Sequence, residues 1–279
     1  MDSEQLTIAA GDGTQIAVTR RPGGGQAVVL LHAGVADRRA WWGVIDTLGA
    51  DDIDLVAYDR RGYGDTPLAG GASFTHVDDL LAVLDGLGIE RTVLVGNSMG
   101  GALALDVTLL HPSRVAGVVL IGGGVSGMAD DDTPFDWVLD PAIAPLLELS
   151  DDATVDPETR IAALTHVWLD GPAAAEGRVA GPARELFATM NRRIIEIGAP
   201  HGAGDAGLNA WTRLDEITVP VLCTWGAVDI PADLPFYEET ARRLGQGPGH
   251  ALPGVAHLPG LEQPELVADL VRTALREDR

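Results

Sequence analysis

The residues best suited to covalent chemistry lie in one short run, Gly96-Asn97-Ser98-Met99-Gly100-Gly101. A serine hydroxyl is a weak nucleophile unless it stands clear of the backbone, beside a base, with N–H donors near the oxyanion it creates. Here a β-branched run, Thr92-Val93-Leu94-Val95, enters the pentapeptide Gly96-Asn97-Ser98-Met99-Gly100, and an Ala/Leu-rich segment leaves it. That strand–turn–helix context is what makes Gly-x-Ser-x-Gly a nucleophile elbow; in a chain with 35 glycines the bare pentapeptide would be a weak signal. The turn is expected to hold Ser98 in a strained backbone conformation. Gly96 and Gly100 flank it because a Cβ at either position would collide with the facing strand or helix. The Met99 N–H then points to where a carbonyl oxygen would sit.

Such a serine needs a base within hydrogen-bond reach and a carboxylate that fixes the tautomer of that base. In a parallel α/β sheet both belong in loops at the C-terminal ends of later strands, in the order serine, acid, histidine. Val221-Leu222-Cys223-Thr224-Trp225 reads as a strand ending in Gly226-Ala227-Val228-Asp229, which makes Asp229 the expected acid and Asp233 its nearest rival. The Gly- and Pro-bounded stretch from Pro253 to Pro259 places His257 before the last helix as the expected base. Among the other histidines, His76 and His111 sit at helix ends and read as solvent-facing. His250 starts a strand, and His166 and His201 lie in the expected helical insertion; His250 and His166 are the alternatives to His257 as the base. His32 is expected to brace the loop after the Ala27-Val28-Val29-Leu30-Leu31 strand, and that loop should supply the second oxyanion donor from the Gly34 N–H, with Ala33 next. Asp59 and Arg61 read as residues that fix the neighbouring loop. Arg192 and Arg193 read as a solvated helix face rather than an anion clamp, though their role is open.

The elements that must position these groups are legible as well. Leu6 to Ala9 and Gln15 to Val18 alternate around Asp12-Gly13, the pattern of an antiparallel hairpin. Ala27–Leu31, Asp54–Tyr58 and Val115–Ile121 are continuous apolar runs of the kind buried on both faces of a parallel sheet. A helix runs from Trp41-Trp42 toward Leu48, and Thr75 caps another with Val77, Leu80, Leu81, Leu84 and Leu87 on its buried face. From about residue 125 strands vanish, and acidic loops such as Asp130-Asp131-Asp132 and Asp151-Asp152 separate helical stretches. The strand pattern resumes near Val219, with a helix near Glu238 to Leu244, a weak strand at His250 to Leu252 and a closing helix from Glu265 to Leu275. The expected architecture is an α/β fold with a mostly parallel, doubly wound sheet from residues 1–124 and 212–279, and an inserted helical cap at 125–211. Apolar side chains in the cap, Trp137, Trp168, Phe187 and Met190, are expected to wall a substrate pocket, and Trp41 and Trp42 to complete its mouth.

Composition narrows the partners. The chain has 279 residues, enough for a sizeable core, and a formal net charge of −22 that disfavours nucleic acid and anionic membrane. All 19 basic residues are arginine, so a lysine base or Schiff base is excluded. The lone Cys223 lies in an apolar run, which leaves no disulfide framework and no thiolate metal site. Met1 to Asp12 has neither a basic start nor an apolar core, and no apolar run approaches membrane-spanning length, so a cytoplasmic protein is expected. A small-molecule substrate is expected, with no metal or cofactor; self-association is left open.

With elbow, oxyanion loop and triad order in place, the chain resembles the α/β-hydrolase superfamily over nearly its whole length. The residues that carry the resemblance are His32-Ala33-Gly34, Asp59-Arg60-Arg61-Gly62-Tyr63-Gly64, Gly96 to Gly101, Gly226 to Asp229 and Ala256-His257. Ser98-Met99-Gly100-Gly101 and the Leu261-Glu262-Gln263-Pro264 stretch look like the enol-lactonase and carboxylesterase branch. That resemblance implies hydrolysis of a carboxylic ester or lactone of moderate size through an acyl-enzyme. The Gly-Asn-Ser-Met-Gly-Gly run also looks like the meta-cleavage-product hydrolases, which cut carbon–carbon bonds. Two departures separate the chain from them: Leu258 stands where they carry tryptophan, and His32-Ala33-Gly34 does not reproduce their glycine/serine-rich oxyanion loop. A non-catalytic binding protein or receptor on the same fold is the remaining alternative.

Overall fold

The computed structural model of the chain describes residues 3–68, 74–127, 134, 136–198, 203 and 207–277. Its centre is an eight-stranded sheet formed by β1 (Glu4–Ala9), β2 (Gln15–Arg21), β3 (Ala27–Leu31), β4 (Asp54–Tyr58), β5 (Thr92–Asn97), β6 (Val115–Ile121), β7 (Val221–Gly226) and β8 (His250–Leu252). The spatial order is β1-β2-β4-β3-β5-β6-β7-β8. The first hairpin is antiparallel, with Leu6 opposite Val18, and β2 also runs antiparallel to β4. Every later pairing is parallel. The chain reverses direction across the sheet between β4-β3 and β5-β6, so the end of β5 opens into a crevice, which is where open α/β sheets bind ligands.

The central strands read as unbroken apolar runs because helices cover both of their faces. Val28 and Leu30 of β3, Val93 and Val95 of β5, and Val119 and Ile121 of β6 pack with Val44, Ile45, Val267 and Val271. Those last four come from α1 (Trp42–Thr47) and the C-terminal helix α8 (Pro264–Glu277). The alternate residues Val29, Leu31, Leu94 and Leu120 face α2 (His76–Gly86), α3 (Met99–Leu110) and α7 (Leu234–Leu244) through Leu80, Leu84, Leu103 and Phe236. Each fully buried side chain of this size stabilises the fold by about 1.5–3 kcal/mol. Thr75 caps α2 by accepting from the Asp78 N–H at 3.0 Å, as its sequence position predicts.

Between β6 and β7 the described residues form no strand. They contain α4 (Ala144–Asp151), α5 (Pro157–Thr165), a π-helical turn at His166–Asp170 and α6 (Pro182–Ile197). A third apolar cluster joins this segment to the loop after β3: Leu164, Leu169, Phe187 and Met190 pack on Ala33, Ala36 and Leu258. His201 and the Asp130-Asp131-Asp132 run lie outside the described residues.

Charged side chains tie the loops around the sheet together. Arg61, 2% exposed along its side chain, donates to Asp79 on α2 and to Asp12 in the first hairpin turn. Asp59 accepts from the Arg38 N–H, the Arg38 guanidinium and the Asp65 N–H, holding the loop after β4 against the loop after β3. Two histidines differ from the expectation of solvent exposure. His111 is half-buried, and His76 packs beside Phe74, where burial and the charges of Arg60 and Arg61 push its pKa down to about 4. A helix start is not a solvent-facing place when a neighbouring loop folds over it. Among the described residues, no helix is long and apolar enough to cross a membrane.

Candidate active site

The β5–α3 turn has the geometry that its glycines imply. Ser98 adopts φ 55° and ψ −119°, and among the described residues it is the one non-glycine with positive φ. Such a conformation costs on the order of 1–3 kcal/mol and persists only where the surroundings over-determine it. Here the Ser98 N–H donates to Ile121 O at 3.1 Å, and Ser98 O accepts from Gly101 N at 2.8 Å and Gly124 N at 2.9 Å. A Cβ on Gly96 would lie 2.4 Å from Gly100 O in the following helix, and one on Gly100 would lie 2.2 Å from Leu31 O at the end of β3. No side chain fits at either position.

His257 follows β8 and Asp229 follows β7, and the two meet in the interior. His257 Nδ1 lies 2.7 Å from Asp229 Oδ2, with the residues 4% and 1% exposed. Asp229 is held in turn by the Ile230 N–H at 2.8 Å and the Tyr237 hydroxyl at 3.2 Å. Burial disfavours the His257 imidazolium, but the charge and hydrogen bond of Asp229 outweigh it, with help from Asp233 and Glu262, and the pKa is raised. The Tyr237 phenol is pushed far up by burial and by the same carboxylates, so it stays a neutral donor to Asp229. Trp168, carried on the π-helical turn, sets its ring 4.7 Å from the imidazole; π turns recur where a helix must re-aim a side chain at a functional site.

Sequence reasoning missed the groups that hold this histidine. Asn97, the last residue of β5, donates through Nδ2 to Ile121 O at 2.8 Å and to His257 O at 2.9 Å. It thereby fastens the His257 loop to the strand that carries Ser98. Glu262 accepts from the Ala256 N–H at 2.9 Å, bracketing His257 from its other side, and pairs with Arg178. Arg178 also donates to Leu169 O, Asp170 O and Gly254 O, joining the segment between β6 and β7 to the histidine loop. For Asn97 the available signal was an amide directly before the serine; for Arg178 the sequence carries no signal.

Ser98 and His257 line one cavity of about 240 Å³, together with Gly122, Gly124, Val125, Trp137, Trp168, Asp233, Phe236 and Tyr237. The loop after β3 lies against the elbow, since a Cβ on Gly34 would sit 2.6 Å from Met99 Sδ. His32 braces that loop: its Nε2 accepts from the Arg60 N–H at 3.1 Å, which leaves Nδ1 to donate to Ala33 O at 2.7 Å. Burial and the Arg60 charge hold its pKa well below the ordinary value, so the ring is neutral.

Of the six side chains expected around the pocket, Trp137 and Trp168 line it and four do not. Trp41, 2% exposed, points from a short 3₁₀ turn into the helix–sheet layer, where Gly260 packs on its ring. Trp42 faces away, lining a surface groove with Ser3, Gln5 and Thr19. Phe187 and Met190 are fully buried on the inner face of α6 and pack behind the Gly34 loop rather than into the cavity. Arg192 and Arg193 are exposed and pair with Glu158 and Glu196. Asp233, weighed earlier as a rival acid, is not the partner of His257 but lies in the cavity wall.

Comparison with known proteins gives a consistent result. A family model described as the alpha/beta hydrolase fold matches residues 26–229. A Bacillus subtilis protein, provisionally named a 2-succinyl-6-hydroxy-2,4-cyclohexadiene-1-carboxylate synthase, is 27% identical over 276 residues, covering 95% of this chain and 96% of its own. The 2-hydroxy-6-oxononadienedioate/2-hydroxy-6-oxononatrienedioate hydrolase of Paraburkholderia phymatum is 29% identical over 227 residues, 76% of this chain and 74% of its own. Among solved structures, a thermophilic esterase from Thermogutta terrifontis superposes with a TM-score of 0.72 at 23% identity, covering 100% of this chain and 99% of that one.

Proposed function

Because the chain belongs to the alpha/beta hydrolase fold family, we propose that it is a serine hydrolase of the esterase and lactonase type, with Ser98 as nucleophile, His257 as base and Asp229 as the residue that orients it. His257 Nε2 takes the Ser98 proton as Oγ attacks the carbonyl carbon. The Met99 and Gly34 N–H groups donate to the tetrahedral oxyanion. The C–O bond to the leaving alcohol then breaks, and the proton on His257 passes to the departing oxygen. Water, deprotonated by His257, attacks the acyl carbon; the carboxylic acid leaves and Ser98 regains its proton. Asp229 accepts the Nδ1–H of His257 throughout and stabilises the imidazolium.

The observation that carries this reading is the 2.7 Å contact between His257 and Asp229 in a cavity that also opens on the strained Ser98. Residues 1–124 and 212–279 act as the hydrolase core in this proposal and 125–211 as a cap that closes over it, contributing Trp137 and Trp168. The lining favours an ester or lactone over carbon–carbon cleavage of a dioate such as that named for the Paraburkholderia enzyme. Its described residues include an aspartate and no arginine, a poor match for two carboxylates. The volume suits a small to medium acyl or alcohol group with a largely apolar body, and leaves its charge to be set by the Asp233 end of the cavity.

Turnover of p-nitrophenyl acetate by the wild type and by Ser98→Ala tests the proposal, together with labelling by a fluorophosphonate probe. Wild-type turnover and labelling that both vanish in Ser98→Ala are expected. Equal turnover by the two proteins would overturn the mechanism, and a wild type that neither turns over nor labels would favour the binding-protein alternative.

A further inference from the structure

The cavity beside Ser98 holds a carboxylate that the proposed triad does not use. Asp233 stands at the N-terminus of α7, a position where aspartate commonly caps the helix, yet its side chain makes no capping bond. Among the described residues its side chain accepts one hydrogen bond, from the Trp137 indole, Nε1 to Oδ1 at 3.0 Å. Among the described residues no arginine forms a salt bridge with it. Burial and the charge of Asp229 raise its pKa, the Trp137 bond and His257 opposing them, as expected of an anion short of a counter-ion.

What surrounds Asp233 is aromatic. Trp137 stacks on Phe236 with ring centroids 5.7 Å apart, and Trp168 and Tyr237 complete the wall. Phe236 is also stacked on Trp211 at 5.6 Å, so the carboxylate supplies the full charge that recognises an ammonium group, and the indoles of Trp137 and Trp168 supply the aromatic wall beside it. The same wall repels anions and offers a neutral group no compensation for desolvating the carboxylate. The net charge of −22 steers diffusing ions in the same sense.

We propose that the cavity carries a cation subsite, with Asp233 as counter-ion and Trp137 and Trp168 as walls, which selects esters bearing an amine or quaternary ammonium group over neutral and anionic ones. The selection of esters rests on the serine hydrolase reading above; the binding of a cation does not.

The test is therefore a binding measurement that needs no turnover. Quenching of tryptophan fluorescence reads the affinity of 3-hydroxyphenyltrimethylammonium, its uncharged isostere 3-tert-butylphenol, and 3-hydroxybenzoate. The expected result is that the ammonium compound binds at least tenfold more tightly than the isostere and the benzoate weakest. Asp233→Asn, which keeps the acceptor for Trp137, should bring the ammonium affinity to within about threefold of the isostere. Equal binding of all three by the wild type, or an ammonium affinity unchanged in Asp233→Asn, overturns the proposal. Should that variant fail to fold, the wild-type contrast between ammonium and tert-butyl compounds decides alone. Cation-selective binding by a protein that hydrolyses no ester upholds the subsite and rejects only the hydrolase reading, whereas ester turnover without charge selectivity does the reverse.

Discussion

Replacing Asn97 by alanine separates holding the proposed catalytic histidine, His257, from merely filling the core. Asn97 is 4% exposed, and its Nδ2 donates to two buried carbonyls, Ile121 O and His257 O. Ile121 O keeps the Ser98 N–H as a second partner at 3.1 Å, so the cost falls mainly on His257 O. An orphaned buried carbonyl costs about 1–3 kcal/mol, and the small void adds to it, for a total of about 2–4 kcal/mol. In a chain of 279 residues that lowers Tm by roughly 3–7 °C. The larger effect should be kinetic: the freed loop carries His257, and a misplacement near 1 Å costs on the order of 10²-fold in rate. On p-nitrophenyl acetate, kcat should fall about 30- to 300-fold with KM within about twofold. Val119→Ala is the control, since Val119 is fully buried on the face away from Ser98 and its truncation costs a comparable ~2–3 kcal/mol. If Asn97→Ala loses stability as Val119→Ala does and keeps its kcat, the positioning role is refuted.

Three further outcomes follow from other contacts. Gly100→Ala drives a Cβ to 2.2 Å from Leu31 O, a backbone atom that cannot step aside. It should destabilise the fold by about 3 kcal/mol or more, seen as a lower urea midpoint; a loss under about 0.5 kcal/mol would contradict the packing of elbow on β3. His257 titrates above its ordinary value of 6.5 in the folded state, and catalysis requires its neutral form, so the acidic limb of kcat/KM against pH should have its midpoint above 6.5. The same shift links to stability: the ionised dyad's contribution is complete below pH 6.5 and is lost as pH rises through the folded pKa. A midpoint at or below 6.5 would show that Asp229 does not dominate the environment of His257. Arg178→Met removes the cation from Glu262, whose side chain is 2% exposed while that of Arg178 is 24% exposed. The partial exposure brings the expected loss to about 1–3 kcal/mol, below the cost of breaking a fully buried pair. Burial already raises the Glu262 pKa, so the deficit should narrow as pH falls and the carboxylate is neutralised; thermal melts at pH 7.5 and 5 measure it.

Met99, directly after Ser98, is 48% exposed. The elbow thus lies close to solvent while His257 and Asp229 lie deep. Under the mechanism proposed above, that asymmetry lets substrate reach Ser98 from outside while the His257–Asp229 pair stays dry. The low-dielectric environment of the dyad strengthens the interaction on which orientation of the imidazole depends.

Much of this protein was legible in one dimension, because the features concerned are local. A strand buried on both faces must be a continuous apolar run, as Ala27 to Leu31 and Val115 to Ile121 are. A strand-to-helix turn that leaves no space for Cβ must use glycine, as at Gly96 and Gly100. Parallel topology delivers strand ends to one rim, so Ser98, Asp229 and His257 could be put forward as candidates from their places after β5, β7 and β8. What the tertiary structure alone decided were the directions of side chains and the contacts between distant segments. Trp41 and Trp42 are neighbours in sequence, yet one fills the core and the other a surface groove, because a 3₁₀ turn and not hydrophobicity sets which way each points. Phe187 and Met190 satisfy the same apolar pattern as a pocket wall but are spent on anchoring α6. The Asn97 bond to His257 spans 160 residues and the Arg178 bond to Glu262 spans 84. Hydrogen bonds of that kind depend on distances between elements, which hydrophobic periodicity does not encode.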